Sequence, residues 1–93
     1  MRLHPQAVEY YKLGMTTEPT TTPTDWAASF DGGATWVTAV DLDGLSGWLV
    51  AGPDADTPGS ATVLGTGMLR PLIRHVDFPE TIVRVAPSIV VSR

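Results

Sequence analysis

The side chains that could do chemistry in this chain are a serine, two histidines and a scatter of aspartates, and their spacing decides what each is worth. Ser46, His75 and Asp77 are the residue types that a nucleophile, a general base and an orienting carboxylate require. No nucleophile elbow precedes any serine, and a fold of this size leaves little room for a deep pocket, so the trio predicts no hydrolysis. Asp41, Asp43, Asp54 and Asp56 raise calcium, which takes about six to eight oxygen ligands at close range. Their spacing matches no EF-hand loop, and solvated turn carboxylates are expected instead. His4 and His75 lie far apart with no cysteine beside them, which leaves no transition-metal set. No catalytic residue, metal or cofactor is therefore expected, and His75, at a strand end beside Asp77, reads as a hydrogen-bonded surface or interface side chain.

One stretch carries a sharper pattern. Ser29-Phe30-Asp31-Gly32-Gly33-Ala34-Thr35-Trp36 reads S-x-D-x-G-x-T-W, the pattern of the Asp-box hairpin. The motif recurs in sialidases and other sugar-processing propellers, which it resembles only locally: there it is a structural hairpin away from the catalytic centre. A propeller would repeat it over several hundred residues, and here it occurs once in 93. Similar Asp-Gly-Gly hairpins occur in immunoglobulin-like domains. Trp26-Ala27-Ala28 and Val37 to Val40 supply strand-like flanks, so a tight hairpin is expected over 26–40. In it Asp31 accepts turn amides, Gly32 and Gly33 reverse the chain, Thr35 closes the motif, and Trp36 packs beneath the turn as a core residue whose truncation would cost about 3 to 5 kcal/mol.

The elements that must position this hairpin follow from composition and period. Glycine (9), proline (8) and threonine are plentiful, lysine is nearly absent, and the apolar residues lean toward Val, Ile and Trp. Such residues suit pleated, half-buried surfaces, and no segment shows an apolar helical repeat, so little or no helix is expected. A strand is expected within 6–15, then a Thr/Pro-rich extended loop or arm over 16–25, whose prolines fix φ and remove donors. Beyond the hairpin come a turn over 41–45, a strand over 46–51 anchored by Trp48, a surface loop over 52–59 and a brief strand over 61–64. Leu69, Pro71 and Ile73 alternate with Arg70, Leu72 and Arg74, which predicts one strand over 68–76. After a turn at Asp77-Phe78-Pro79-Glu80, residues 81–91 return as another strand. Its Val83, Val85, Ile89 and Val91 form the covered face, and Pro87 sits at a bulge, kink or edge.

The whole chain reads as one domain over 1–93, an all-β, small antiparallel sandwich of immunoglobulin-like or fibronectin III-like architecture, with a small partly open barrel as the alternative. No cysteine is present, so stability must come from burial, hydrogen bonding or assembly. The formal charge is −4 and no basic block faces a row of phosphates, which argues against nucleic acid. No apolar run approaches the roughly 20 residues that cross a bilayer, and residues 1–5 lack a secretory core, so a soluble chain made without export is expected.

Four segments together carry a resemblance over nearly the whole chain: His4 to Tyr10, the Trp26 to Trp36 hairpin, Trp48 to Pro53, and Ile73 to Arg84. They resemble a family of small structural proteins of actinobacterial tailed phages. The resemblance implies an immunoglobulin-like virion component present in many copies, without catalytic residues or cofactor, made in the host cytoplasm and partnered by capsid or connector subunits or by further copies of itself. A short second strand region and the Thr/Pro segment depart from longer relatives and leave the strand count open. A capsid decoration or minor capsid protein is the leading expectation. A head-to-tail connector or tail component is the alternative, and a carbohydrate- or protein-binding accessory module a second. Leu42, Leu45, Leu72 and Phe78, near turns or on the more polar face, are the candidate contact residues.

Overall fold

The computed structural model describes residues 1–14, 22–77 and 80–93. The strands among them are β1 (Arg2–Leu3), β2 (Val8–Leu13), β3 (Trp26–Ser29), β4 (Val37–Thr38), β5 (Val40–Leu42), β6 (Leu45–Ala51), β7 (Thr62–Val63), β8 (Gly67–Leu69), β9 (Leu72–Asp77), β10 (Glu80–Val85) and β11 (Ile89–Val91). They form three small sheets. One runs β1-β11-β8, a second β10-β9-β3-β4, and the third β2-β6-β5 with β7 also on β6. Pairing is antiparallel except for β1 with β11 and β6 with β7. The architecture is all-β and sandwich-like. The only helical turn among the described residues is a 3-10 turn at Pro23–Asp25, and none of their helices is long and apolar enough to cross a membrane.

Each sheet turns one face to a shared core, because alternate residues of a strand point to opposite sides. Trp26, Ala28 and Ile73 come from the second sheet, Tyr11, Trp48 and Val50 from the third, and Leu3, Ile89 and Val91 from the first. Trp26 and Trp48 are the largest fully buried side chains. The Trp48 indole N–H reaches the carbonyl of Val37 at 2.8 Å, so its one polar atom is satisfied while the ring is dry.

The turn expected over 41–45 is tighter than the sequence suggests. Only Asp43 and Gly44 lie in the loop, both at positive φ (55° and 85°), and Leu42 pairs with Leu45 as strand residues. Two successive positive φ values match the twist of the flanking strands, which is why such hairpins select Asp-Gly. The Asp41 carboxylate accepts the Gly44 N–H at 2.9 Å and pins the turn.

Two long strands expected from alternation are each divided in the structure. Residues 67–77 split into β8 and β9, and residues 80–91 into β10 and β11, with the members of each pair in different sheets. The chain bends at Arg70-Pro71 on one arm and at Ala86 to Ser88 on the other, level with each other, where the Ala86 N–H donates to the Pro71 carbonyl at 2.8 Å. The two arms therefore cross together from one sheet to the next, forming a corner of the sandwich. Alternation survives the bend, so the sequence shows no break there. The expected covered face holds for Ile89 and Val91, which are buried, and fails for Val83 and Val85, which are 51% and 62% exposed.

The Thr/Pro segment also differs at its end. Residues 15–21 lie outside the described residues, but 22–25 are not an extended arm. Thr22 caps the 3-10 turn, its N–H donating to the Asp25 carboxylate at 2.8 Å, and the Ser46 hydroxyl donates to the Pro23 carbonyl at 2.7 Å. That bond ties the turn to β6.

Candidate functional site

The Asp-box segment links β3 to β4, which pair Ala27 with Thr38 and Ala28 with Val37. Its hydrogen bonds centre on two side chains. The buried Ser29 hydroxyl donates to Asp31 Oδ1 at 2.7 Å and accepts the Gly33 N–H at 2.8 Å. The same Asp31 oxygen accepts the Thr35 N–H at 2.9 Å. Gly32 and Gly33 stand at φ 77° and 103°, conformations in which a Cβ would clash with the backbone. The Thr35 amide, then the Ser29 hydroxyl, hold the Asp31 carboxyl down to about 2, so it is ionised at any physiological pH although exposed to water. The carboxylate is committed to donors within its own turn.

Trp36 closes the hairpin, but as a half-buried residue and not the core residue expected. Its indole N–H donates back to the Gly33 carbonyl at 3.1 Å, and the Arg74 guanidinium lies 4.3 Å from the ring centre. Arg74 sits on β9 opposite Ala27 of β3, on the outer face of the sheet. The ring thus covers the outside of the second sheet while the inside belongs to Trp26. Beside the turn a groove of about 470 Å³ opens, with Phe30, Asp31, Thr35 and Val37 on one wall and the Thr62 to Leu69 segment on the other.

The residues of the other candidate chemistries are dispersed. The Ser46 hydroxyl is spent on the Pro23 carbonyl. The His75 ring lies 5.2 Å from the Trp26 ring on the second sheet. The Asp77 side chain lies outside the description. Asp41 caps its own hairpin, and Asp54 faces Arg93 at 3.9 Å across an exposed pair. His4 Nδ1 accepts the Gln6 N–H at 3.1 Å.

Of the expected contact residues, Leu42 and Leu45 share the β5-β6 hairpin, Leu42 half-buried and Leu45 exposed. Leu72 is half-buried on β9 near Gly33. Phe78 lies outside the described residues. The three that are described do not meet in one patch, since they belong to two sheets.

The structure adds contacts that composition and spacing do not show. Arg74 over Trp36 is one, although alternation already set Arg74 on the face opposite Ile73. The Tyr11 hydroxyl is another: it donates to the Pro87 carbonyl at the corner between β10 and β11, and burial pushes the phenol up to about 12. Comparison with protein-family models, with curated proteins and with solved structures returns no match for this chain.

Proposed function

We propose that the chain is a non-enzymatic structural protein of a phage particle, acting as a capsid decoration or minor capsid protein. The observation that carries this reading is the employment of its reactive groups: Asp31 and Ser29 pin their own turn, and Ser46 and Tyr11 each hold two parts of the fold together. A rigid, cysteine-free sandwich built this way is suited to binding a lattice, where modest contact per copy is offset by multivalency. The phage-protein resemblance of four segments supplies the particle. Its partners are then capsid or connector subunits and further copies of itself, with no nucleic acid or membrane contact.

Quantitative mass spectrometry of purified particles tests the reading. Hundreds of copies per particle are expected for a decoration protein, and absence from particles would overturn it. A count near about a dozen would move the chain to a connector or tail ring. The groove beside the Asp-box favours one further reading, a carbohydrate- or protein-binding module. Micromolar binding to a glycan array by the purified chain, together with absence from particles, would select that reading.

A further inference from the structure

β10 ends its sheet: its one ladder partner among the described residues is β9. The ladder orientation follows from the corner bond. Because Ala86 donates to Pro71, in register with Arg84 opposite Ile73 and Ile82 opposite His75, the even-numbered residues of β10 face β9. Thr81, Val83 and Val85 therefore direct their N–H and C=O groups to the open edge, and all three are exposed. Six residues of free edge hold no proline, glycine or lysine, so the charges of Glu80 and Arg84 are what governs strand addition there.

We infer that this edge pairs with the same edge of a second copy, antiparallel and centred on Ile82. A two-fold axis through such a pair must run perpendicular to the sheet, so only residues of equal parity can stand opposite one another. Outward-facing groups pair when Thr81 stands opposite the second copy's position 83. The same register sets position 80 opposite position 84 of the other copy, a glutamate against an arginine, twice over. Within one copy Arg84 has no ion pair among the described residues and is exposed. Val83 meets a β-branched threonine across the join, a pairing that suits a pleated surface.

The other long free edge, β2, has no such complement. Its outward residues are Val8, Tyr10 and Lys12, since Gly52 donates to Ala7 in register with the odd-numbered ones. Centring it on Glu9 sets two glutamates together, and its one lysine never meets Glu9, because their parities differ. Charge complementarity therefore selects β10.

The pairing does not depend on the virion reading. Absence from particles would leave it standing, and a monomer in solution would leave that reading standing. Sedimentation equilibrium of the purified chain is expected to show a monomer–dimer equilibrium. Arg84→Glu should weaken the dimer at least about tenfold, and Glu80→Arg combined with Arg84→Glu should restore it. The centre is tested separately, since the chain has no cysteine of its own. The thiol of Ile82→Cys would lie in a non-hydrogen-bonded pair, its Cα about 4.5 Å from that of its copy and within disulfide reach, and should oxidise to a covalent dimer. Val85→Cys, about 20 Å from its copy in this register, should not. A monomer at millimolar concentration, a dimer indifferent to Arg84→Glu, failure of the double exchange to restore pairing, or an Ile82→Cys variant that forms no covalent dimer under oxidation would each overturn the proposal.

Discussion

Replacing Ser29 by alanine is expected to loosen the Asp-box without opening a cavity, because only a hydroxyl is lost from a site that is 0% exposed. Two bonds go with it. The Gly33 N–H loses its acceptor at 2.8 Å, a neutral bond of about 1 kcal/mol, and because the glycine is half-buried the stranded donor adds at most a comparable penalty. Asp31 also loses the hydroxyl at 2.7 Å, but its carboxylate is exposed and rehydrates, so that loss adds little. The total is about 1 to 2 kcal/mol, which in a domain of this size lowers Tm by roughly 5 to 15 °C. The same substitution removes one of the donors that hold the Asp31 carboxyl at about 2, so that value should rise toward the ordinary aspartate range. Because the folded value lies below the unfolded one, the carboxylate stabilises the fold above about pH 4, and that contribution is lost as pH falls toward 2. Thermal unfolding followed by circular dichroism, with an NMR titration of the Asp31 side-chain carboxyl, reads both quantities. An unchanged Tm together with an unchanged Asp31 titration would refute the assignment of Ser29 as the centre of the turn.

The remaining expectations concern the core, one glycine and one phenol. Trp48→Ala should cost about 3 to 5 kcal/mol and leave little folded protein at 37 °C, whereas Trp36→Ala should cost about 1 to 2, since its ring is half-buried and held by Arg74. Urea unfolding of the two variants side by side checks the order, and equal losses would contradict it. Gly52 approaches the Pro5 backbone so closely that a Cβ would overlap its carbonyl group, while the Gly52 N–H donates to Ala7 at 2.9 Å. Gly52→Ala should destabilise by about 3 kcal/mol, more than an exposed Gly65→Ala, and matching melting curves for the two would count against the close approach. Tyr11→Phe should cost about 1 kcal/mol at neutral pH. The folded phenol titrates at about 12, above the ordinary value, so its stabilisation is complete below about pH 10 and lost as pH rises toward 12. The phenylalanine variant should lose less stability than the parent over that window, as followed by Tm against pH.

Local structure was legible wherever one residue type had one conformational use. Asp43-Gly44 marks the centre of the turn expected over 41–45, although only those two residues form its loop, and the Asp-box names in advance the serine and aspartate that its bonds converge on. Alternation placed Ile73, Ile89 and Val91 inside and Arg70 outside, and misplaced the faces of β10, where Arg84 stands opposite Ile73. It could not reveal the corner at Pro71 and Ala86, because the apolar alternation of the sequence runs on through 83, 85, 89 and 91 although the inward face changes from even residues in β10 to odd ones in β11. Nor could it rank the three tryptophans, since each lies in strand-like sequence and only the packing of sheets decides which rings are covered.

The amino acids by themselves determined an all-β chain, a pinned hairpin that starts at Trp26 but ends at Ala39, one residue short of the expected 26–40 because Val40 pairs with β6, and the absence of thiol chemistry, since these depend on backbone freedom, side-chain branching and composition. Tertiary structure decided which strand edges stay open, which tryptophans fill the core, that Ser46 bonds the Pro23 carbonyl and that His75 lies against the Trp26 ring. Those outcomes depend on distances between residues remote in sequence, and such distances are set by how the three sheets close on one core.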